Sequence, residues 1–207
     1  MGRRGDALRE VMLFIEMFTL SRAWTDLTDD ELLWEPMPGS WGIHPVGESE
    51  SPTPFVIGDW AADMDSDLAL DPNRFEPLTT IGWLFWHCGS MAGRTAELDF
   101  LGGERTTDSG WTSPYLASHP IFTSADEAAT SMRDGWRALD AALRAATDEQ
   151  LERPIRFWGY GGPGPEGTGA HVVASCLNEI SHHGTQIGVL RDLYRLRGGT
   201  PIERLVD

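Results

Sequence analysis

The sequence predicts an all-α protein, a four-helix bundle with long irregular loop insertions, folded as one domain over residues 1–207. Three observations predict it. Four long segments repeat apolar residues at helical spacing. No run of alternating residues makes a convincing sheet. A chain of 207 residues with 41% hydrophobic content is long enough for one sizeable core. Nine Trp and eight Phe argue against disorder, because aromatic side chains carry large burial energies.

The first helix is expected over about Asp6–Leu27, where Leu8, Val11, Met12, Ile15, Phe18 and Thr19 share one face. Thr28 then precedes Asp29, Asp30 and Glu31, an acidic first turn for a short second helix that Pro36, Pro38 and Gly39 end. Residues 43–77 read as a loop insertion, fragmented by Pro45, Pro52, Pro54, Pro72 and Pro77. Asp63, Asp65 and Asp67 alternate like the start of a calcium loop. The pattern fails at Leu68 and Arg74, which leaves a solvated acidic loop. The next helix is expected over about Thr79–Leu101, stopped by Gly102-Gly103. After a further irregular stretch to Phe122, Ser124 and Glu127 form a capping box for a helix reaching Ala146. Its stripe is Ala128, Met132, Trp136, Leu139 and Leu143. Residues 159–169 are a Gly/Pro-rich connector without the Gly-Lys-Ser/Thr of a phosphate loop, placed to be a mobile lip. The last helix is expected over about Thr168–Leu196. No solenoid period is present.

Charge and composition narrow the function classes. The formal net charge is −16, which disfavours nucleic acid and anionic membrane as partners. All 16 basic residues are Arg, so Lys Schiff-base and P-loop mechanisms are excluded. Two cysteines, Cys88 and Cys176, do not make a disulfide scaffold and read as small buried apolar residues. Glu16 interrupts the apolar run Val11–Leu20, no small-residue cleavage site follows, and no stretch is long enough to span a bilayer. The expectation is a cytoplasmic protein.

The chemistry concentrates on the last helix. Its stripe runs Val173, Cys176, Ile180, His183, Ile187, Leu190, Tyr194, in alternating steps of three and four. His183 stands where this seam calls for Leu or Ile, and Glu179 lies one turn earlier on the same face. The helix from Thr79 repeats the theme: Leu84, His87, Met91, Thr95, Leu98, with His87 in a core position. A carboxylate turned into a core is costly unless paired or metal-bound. Two His and one Glu on two helices suit a divalent metal with an open position, either catalytic zinc or Fe(II) in a facial triad. The bland alternative is a Glu179–His183 pair beside a hydrogen-bonded core His87. Glu179 with His182 gives the Glu-x-x-His spacing of di-iron bundles, but no second such motif exists. His182 and Gln186 are candidates for orienting a ligand by hydrogen bond. His44, His119 and His171 lack ligand spacing, and no nucleophile signature such as Gly-x-Ser-x-Gly is present.

The segments LTDDELLWEPMPGSW, IGWLFWHCGSMAGR and HVVASCLNEISHHGTQIGVLRDLYR together resemble the DinB-like (YfiT-like) metal-binding four-helix bundles. That resemblance places one His ligand at His87. The family's His-x-x-x-His becomes Glu179 and His183, followed by the Gln at Gln186. A His…Glu-x-x-x-His set is similar to the mycothiol-dependent maleylpyruvate isomerase branch and its thiol S-transferase relatives. The resemblance implies a divalent metal, zinc before iron or nickel, that binds a small-molecule thiol whose thiolate attacks an electrophile. It also implies a homodimer. The alternative within the same family is a non-catalytic metal-binding stress-response protein.

Overall fold

The computed structural model describes residues 3–65, 77–96, 119–159 and 162–203. Among the described residues the chain is mostly helical, with two small sheets. Helix α1 (Arg3–Ile15) runs through a π-helical turn (Glu16–Leu20) into α2 (Ser21–Trp24). The short α3 (Asp29–Leu33) begins at the expected capping box of Thr28 and Glu31. Then come strands β1 (Ile43–Pro45), β2 (Phe55–Ile57) and β3 (Trp60–Ala62). Helices α4 (Ile81–Arg94), α5 (Ala125–Ala145) and the short α6 (Asp148–Glu152) follow. Strands β4 (Pro154–Gly159) and β5 (Gly162–Thr168) lead into α7 (Gly169–Arg197). Helix α4 packs along α5 and against α7, and α1 packs against both α5 and α7.

Two glycines set the closest approaches. A Cβ on Gly135 of α5 would stand 2.6 Å from the Gly89 carbonyl oxygen of α4, so this crossing requires glycine. A Cβ on Gly184 of α7 would stand 2.7 Å from Thr19 Cγ2, which lets the π-helical turn lie against α7. The core spans all the long helices. Met12 and Ile15 meet Leu84 and Phe85 of α4, the expected α5 stripe, and Val173, Ile180, Ile187 and Leu190 of α7. Helix α4 is buried on nearly every side, beyond the single stripe read from its sequence.

The structure corrects five expectations. Residues 43–62 are not a featureless loop: they form an antiparallel sheet in the order β1-β3-β2. Each strand has three residues, too few for alternation to show. Asp63 is not a solvated loop acid but is buried at 5% exposure. Its carboxylate accepts from the Gly42 N–H (2.7 Å) and Ser49 Oγ (2.5 Å) and meets His44 Nε2 at 2.8 Å. Within the Gly/Pro-rich stretch expected as a connector, Gly162–Thr168 pairs antiparallel with Pro154–Gly159. Ser124 occupies the N-cap of α5 without a side-chain hydrogen bond; Asp29 Oδ1 instead accepts from the Ala125 N–H at 2.7 Å. Val11 and Phe18, counted with Met12 and Ile15 in the apolar helical spacing of the first helix, do not share their burial and are exposed. Asp67, Leu68, Arg74, Leu98, Leu101 and Gly102-Gly103 lie outside the described residues.

Candidate metal centre

Helix α4 is held at its start by backbone and side chain together. Trp41 N–H donates to the Leu78 carbonyl and Thr80 N–H to the Trp41 carbonyl, both at 2.7 Å. The Thr80 hydroxyl caps the Trp83 N–H at 3.2 Å. Two turns on, His87 is buried at 3% exposure. The Trp83 ring stacks on its imidazole, with centroids 4.9 Å apart and planes 16° from parallel. The Trp83 indole N–H donates to the Asp63 carbonyl at 2.8 Å, which ties this stack to the end of β3.

Helix α7 supplies the other two groups. The His87 and His183 rings meet edge to face, 5.0 Å apart at 90°. His183 Nε2 lies 3.5 Å from Glu179 Oε2. Its other nitrogen, Nδ1, lies 3.1 Å from Gln186 Oε1, and Gln186 Nε2 donates to Thr79 Oγ1 at 3.2 Å. Because the Gln186 amide N–H₂ is engaged with Thr79, its oxygen faces the imidazole and accepts the Nδ1 proton. With the Nδ1 proton held by Gln186, the Nε2 lone pair of His183 would face a metal at the centre; in the metal-free site Nε2 must instead carry a proton to hydrogen-bond Glu179. One donor atom from each of His87, Glu179 and His183 lies within 4.8 Å of the other two.

The electrostatics suit a cation. Burial, with His183 as a second cause, pulls the His87 imidazole down to about 3, so it is neutral and keeps a donor lone pair at ordinary pH. The Glu179 carboxyl is held below its ordinary value, first by its hydrogen bond with His183. Two ligands of a tetrahedral ion with bonds near ~2.1 Å stand about 3.4 Å apart, and the 3.5 Å between His183 Nε2 and Glu179 Oε2 matches this. The Glu179 side chain is 33% exposed and that of His183 12%, so the centre opens toward solvent on the Glu179 side.

The structure therefore brings together the three residues singled out as ligands, and Gln186 touches His183. His182 is exposed, with its ring 4.9 Å from that of His183, and stands outside the three-residue cluster. The Glu179–His182 pairing is thus not the one the fold assembles. Cys88 and Cys176 are both buried, and burial raises the Cys88 thiol well above its ordinary value, which keeps it protonated. His171 takes a helix-start role, its Nδ1 accepting from the Thr168 N–H at 3.0 Å. Thr79 and Trp83 went unrecognised in the sequence. Thr79 reaches Gln186 across 107 positions, and a Trp in an apolar run carries no mark of its stacking partner.

This is a mostly helical protein with a His–Glu–His cluster, able to hold a divalent metal, set between α4 and α7. A model of the DinB superfamily matches residues 19–187, and the chain belongs to that superfamily of metal-binding proteins. No curated protein and no solved structure matches the chain.

Proposed function

We propose that the chain is a metal-dependent thiol S-transferase built on a four-helix bundle of α1, α4, α5 and α7, with His87, Glu179 and His183 as its metal ligands. The observation that carries this reading is the convergence of those three donors at one opening to solvent. Zinc suits the two-nitrogen, one-oxygen set best, with iron or nickel as alternatives. A divalent cation bound there supplies Lewis acidity, which lowers the pKa of a thiol at its open position.

The chain's own residues do the rest. His87 offers a neutral imidazole that its burial keeps from competing protons. Glu179 brings one negative charge, leaving a divalent centre net positive and receptive to an anionic sulfur. Gln186 fixes the His183 tautomer and Thr79 fixes Gln186. The partly exposed Glu179 side is the approach for a small thiol of the mycothiol type and for its electrophile.

The test has two stages. Protein purified without chelator or nickel affinity resin should carry about one metal per chain, lost in His183→Ala. The loaded protein should then conjugate a small thiol to a model electrophile such as a chlorodinitrobenzene, and the chelated protein should not. Metal without turnover for any small thiol would sink the transferase reading and leave a metal-binding module. No metal after reconstitution would sink both.

A further inference from the structure

A cleft of about 360 Å³ lies between α1 and α5 and shares no residue with the metal centre. Its apolar wall is Met12 of α1, Trp24 at the end of α2 and Trp136 of α5. Trp136 is buried at 5% exposure, and its indole N–H donates to Glu16 Oε2 at 3.3 Å. Glu16 opens the π-helical turn, the kind of helix irregularity that recurs at functional positions.

The cations of this cleft set it apart. The chain carries 16 basic residues against 32 acidic ones, yet Arg133, Arg137 and Arg144 line this one cleft from a single side of α5. Two of them are ordinary surface groups. Arg137 meets Asp134 at 3.1 Å and Arg144 meets Asp140 at 2.7 Å, pairs three and four residues apart on an exposed helix face that stabilise little. Arg133 differs. It is half-buried, and its guanidinium lies over the Trp24 ring, with Cζ 5.3 Å from the centroid. Nη2 reaches the Trp24 carbonyl at 3.4 Å, a long contact. Among the described residues no carboxylate pairs with Arg133, and its Nε and Nη1 meet no acceptor. A guanidinium held flat on an indole keeps that N–H edge ready for an incoming carboxylate.

We propose that the cleft binds a small aromatic monocarboxylate, with its ring against Trp24 and Trp136 and its carboxylate on Arg133. The volume stands near the lower end of the roughly 300–1,000 Å³ of ligand pockets, which suits an acid of one or two rings. An apolar wall with few convergent polar groups is the usual form of such a site. One cation without a partner calls for one negative charge. Glu16 and Asp140 on the same walls repel a phosphate dianion more strongly than a monoanion.

Titration of the full chain, followed by proton NMR of the ligand, tests the proposal. The probe 2-naphthoate should bind with a Kd at or below about 1 mM, equally to metal-loaded and chelated protein. Its uncharged amide should bind at least about tenfold more weakly, and inorganic phosphate should not displace it. Arg133→Gln should weaken binding at least about tenfold. Glu16→Gln keeps an acceptor for Trp136 and removes a charge beside the anion, so it should tighten binding about two- to fivefold. Arg153→Gln, exposed and outside the cleft, should change nothing. Circular dichroism verifies that each variant keeps its helices. Absence of saturable binding would overturn the proposal, as would binding that disappears with the metal, because the carboxylate would then sit on the ion. Equal affinity for the amide, displacement by phosphate, wild-type affinity in Arg133→Gln or weaker binding in Glu16→Gln would each overturn it too. The proposal does not rest on the transferase reading, and the chelated protein reads it separately.

Discussion

Among the described residues Arg191 is the largest fully buried side chain, at 2% exposure, and it pins α7 to the segment that follows α2. Its Nε and Nη2 each donate to one Glu31 carboxylate oxygen at 3.2 Å. Nη1 donates to the carbonyls of Arg22 (2.6 Å), Ala23 (3.4 Å) and Thr25 (2.7 Å), and Nη2 to that of Asp26 (2.9 Å). The guanidinium thus neutralises a carboxylate that is 3% exposed and also satisfies the unpaired carbonyls where α2 ends. Arg191→Met keeps the stem and removes all six contacts. Removing one partner of a buried pair costs about 3–5 kcal/mol. Arg195 Nε, 3.3 Å from Glu31 Oε1, keeps part of the charge balanced, but four carbonyls lose their donor. The expectation is a loss of about 4 kcal/mol, or a Tm lowered by roughly 8–16 °C for a chain of this size. Urea unfolding of the metal-free protein measures it. The double variant Glu31→Gln/Arg191→Met should recover at least about 1.5 kcal/mol of that loss, because much of the penalty is the stranded carboxylate. A single-variant loss below about 1 kcal/mol, or strict additivity in the cycle, would refute the claim that Arg191 holds α7 in place.

Two further predictions concern the site. Gln186→Leu removes the acceptor that fixes the His183 Nδ1 proton, and metal affinity should fall about 10- to 100-fold with the fold intact, measured by competition against a chromophoric chelator; unchanged affinity would remove the orienting role. Acid should destabilise the metal-free protein from near neutrality downward. His87 and His119 are held at about 3 and about 4 by burial, against 6.5 when unfolded. Below pH 6.5 the unfolded chain takes up protons that the native chain does not, so stability falls as pH drops, at about 2 kcal/mol per His by pH 5. Urea midpoints at pH 7 and pH 5 check the sign, and His87→Gln should shrink the difference; equal midpoints would refute it.

The helices and the His87–Glu179–His183 cluster were legible in the sequence because both rest on local spacing. Thr28 and Glu31 mark the start of α3, and a His at a seam position stands out against its apolar neighbours. What escaped reading depends on distant partners. Asp63 looks like one more acid in an acidic stretch, and only the folded chain brings Gly42, His44 and Ser49 around its carboxylate. Ser124 with Glu127 fits a capping box, but Asp29, 96 positions away, takes the donor. Val11 and Phe18 satisfy a helical period equally well on an inner or an outer face. Periodicity reports that a face is apolar and not what covers it.

The insertion after α3 takes on a structural meaning from these contacts. As a flexible lid it would cover the centre and move. Instead, its carboxylate at Asp63 draws β1 and the Ser49 turn together, and its backbone carbonyl accepts the Trp83 indole N–H. Trp83 in turn lies flat against His87. The sheet therefore backs His87 through Trp83, while Gln186 and Thr79 hold His183. A donor set drawn from two helices is only as well placed as the angle between them. Here one helix is braced by the Asp63–Trp83 bond and the other by Arg191, so His87 and His183 are held at a fixed distance by contacts that touch neither donor nitrogen. The three donor atoms already lie within 4.8 Å of one another, a preorganisation that metal affinity would reward.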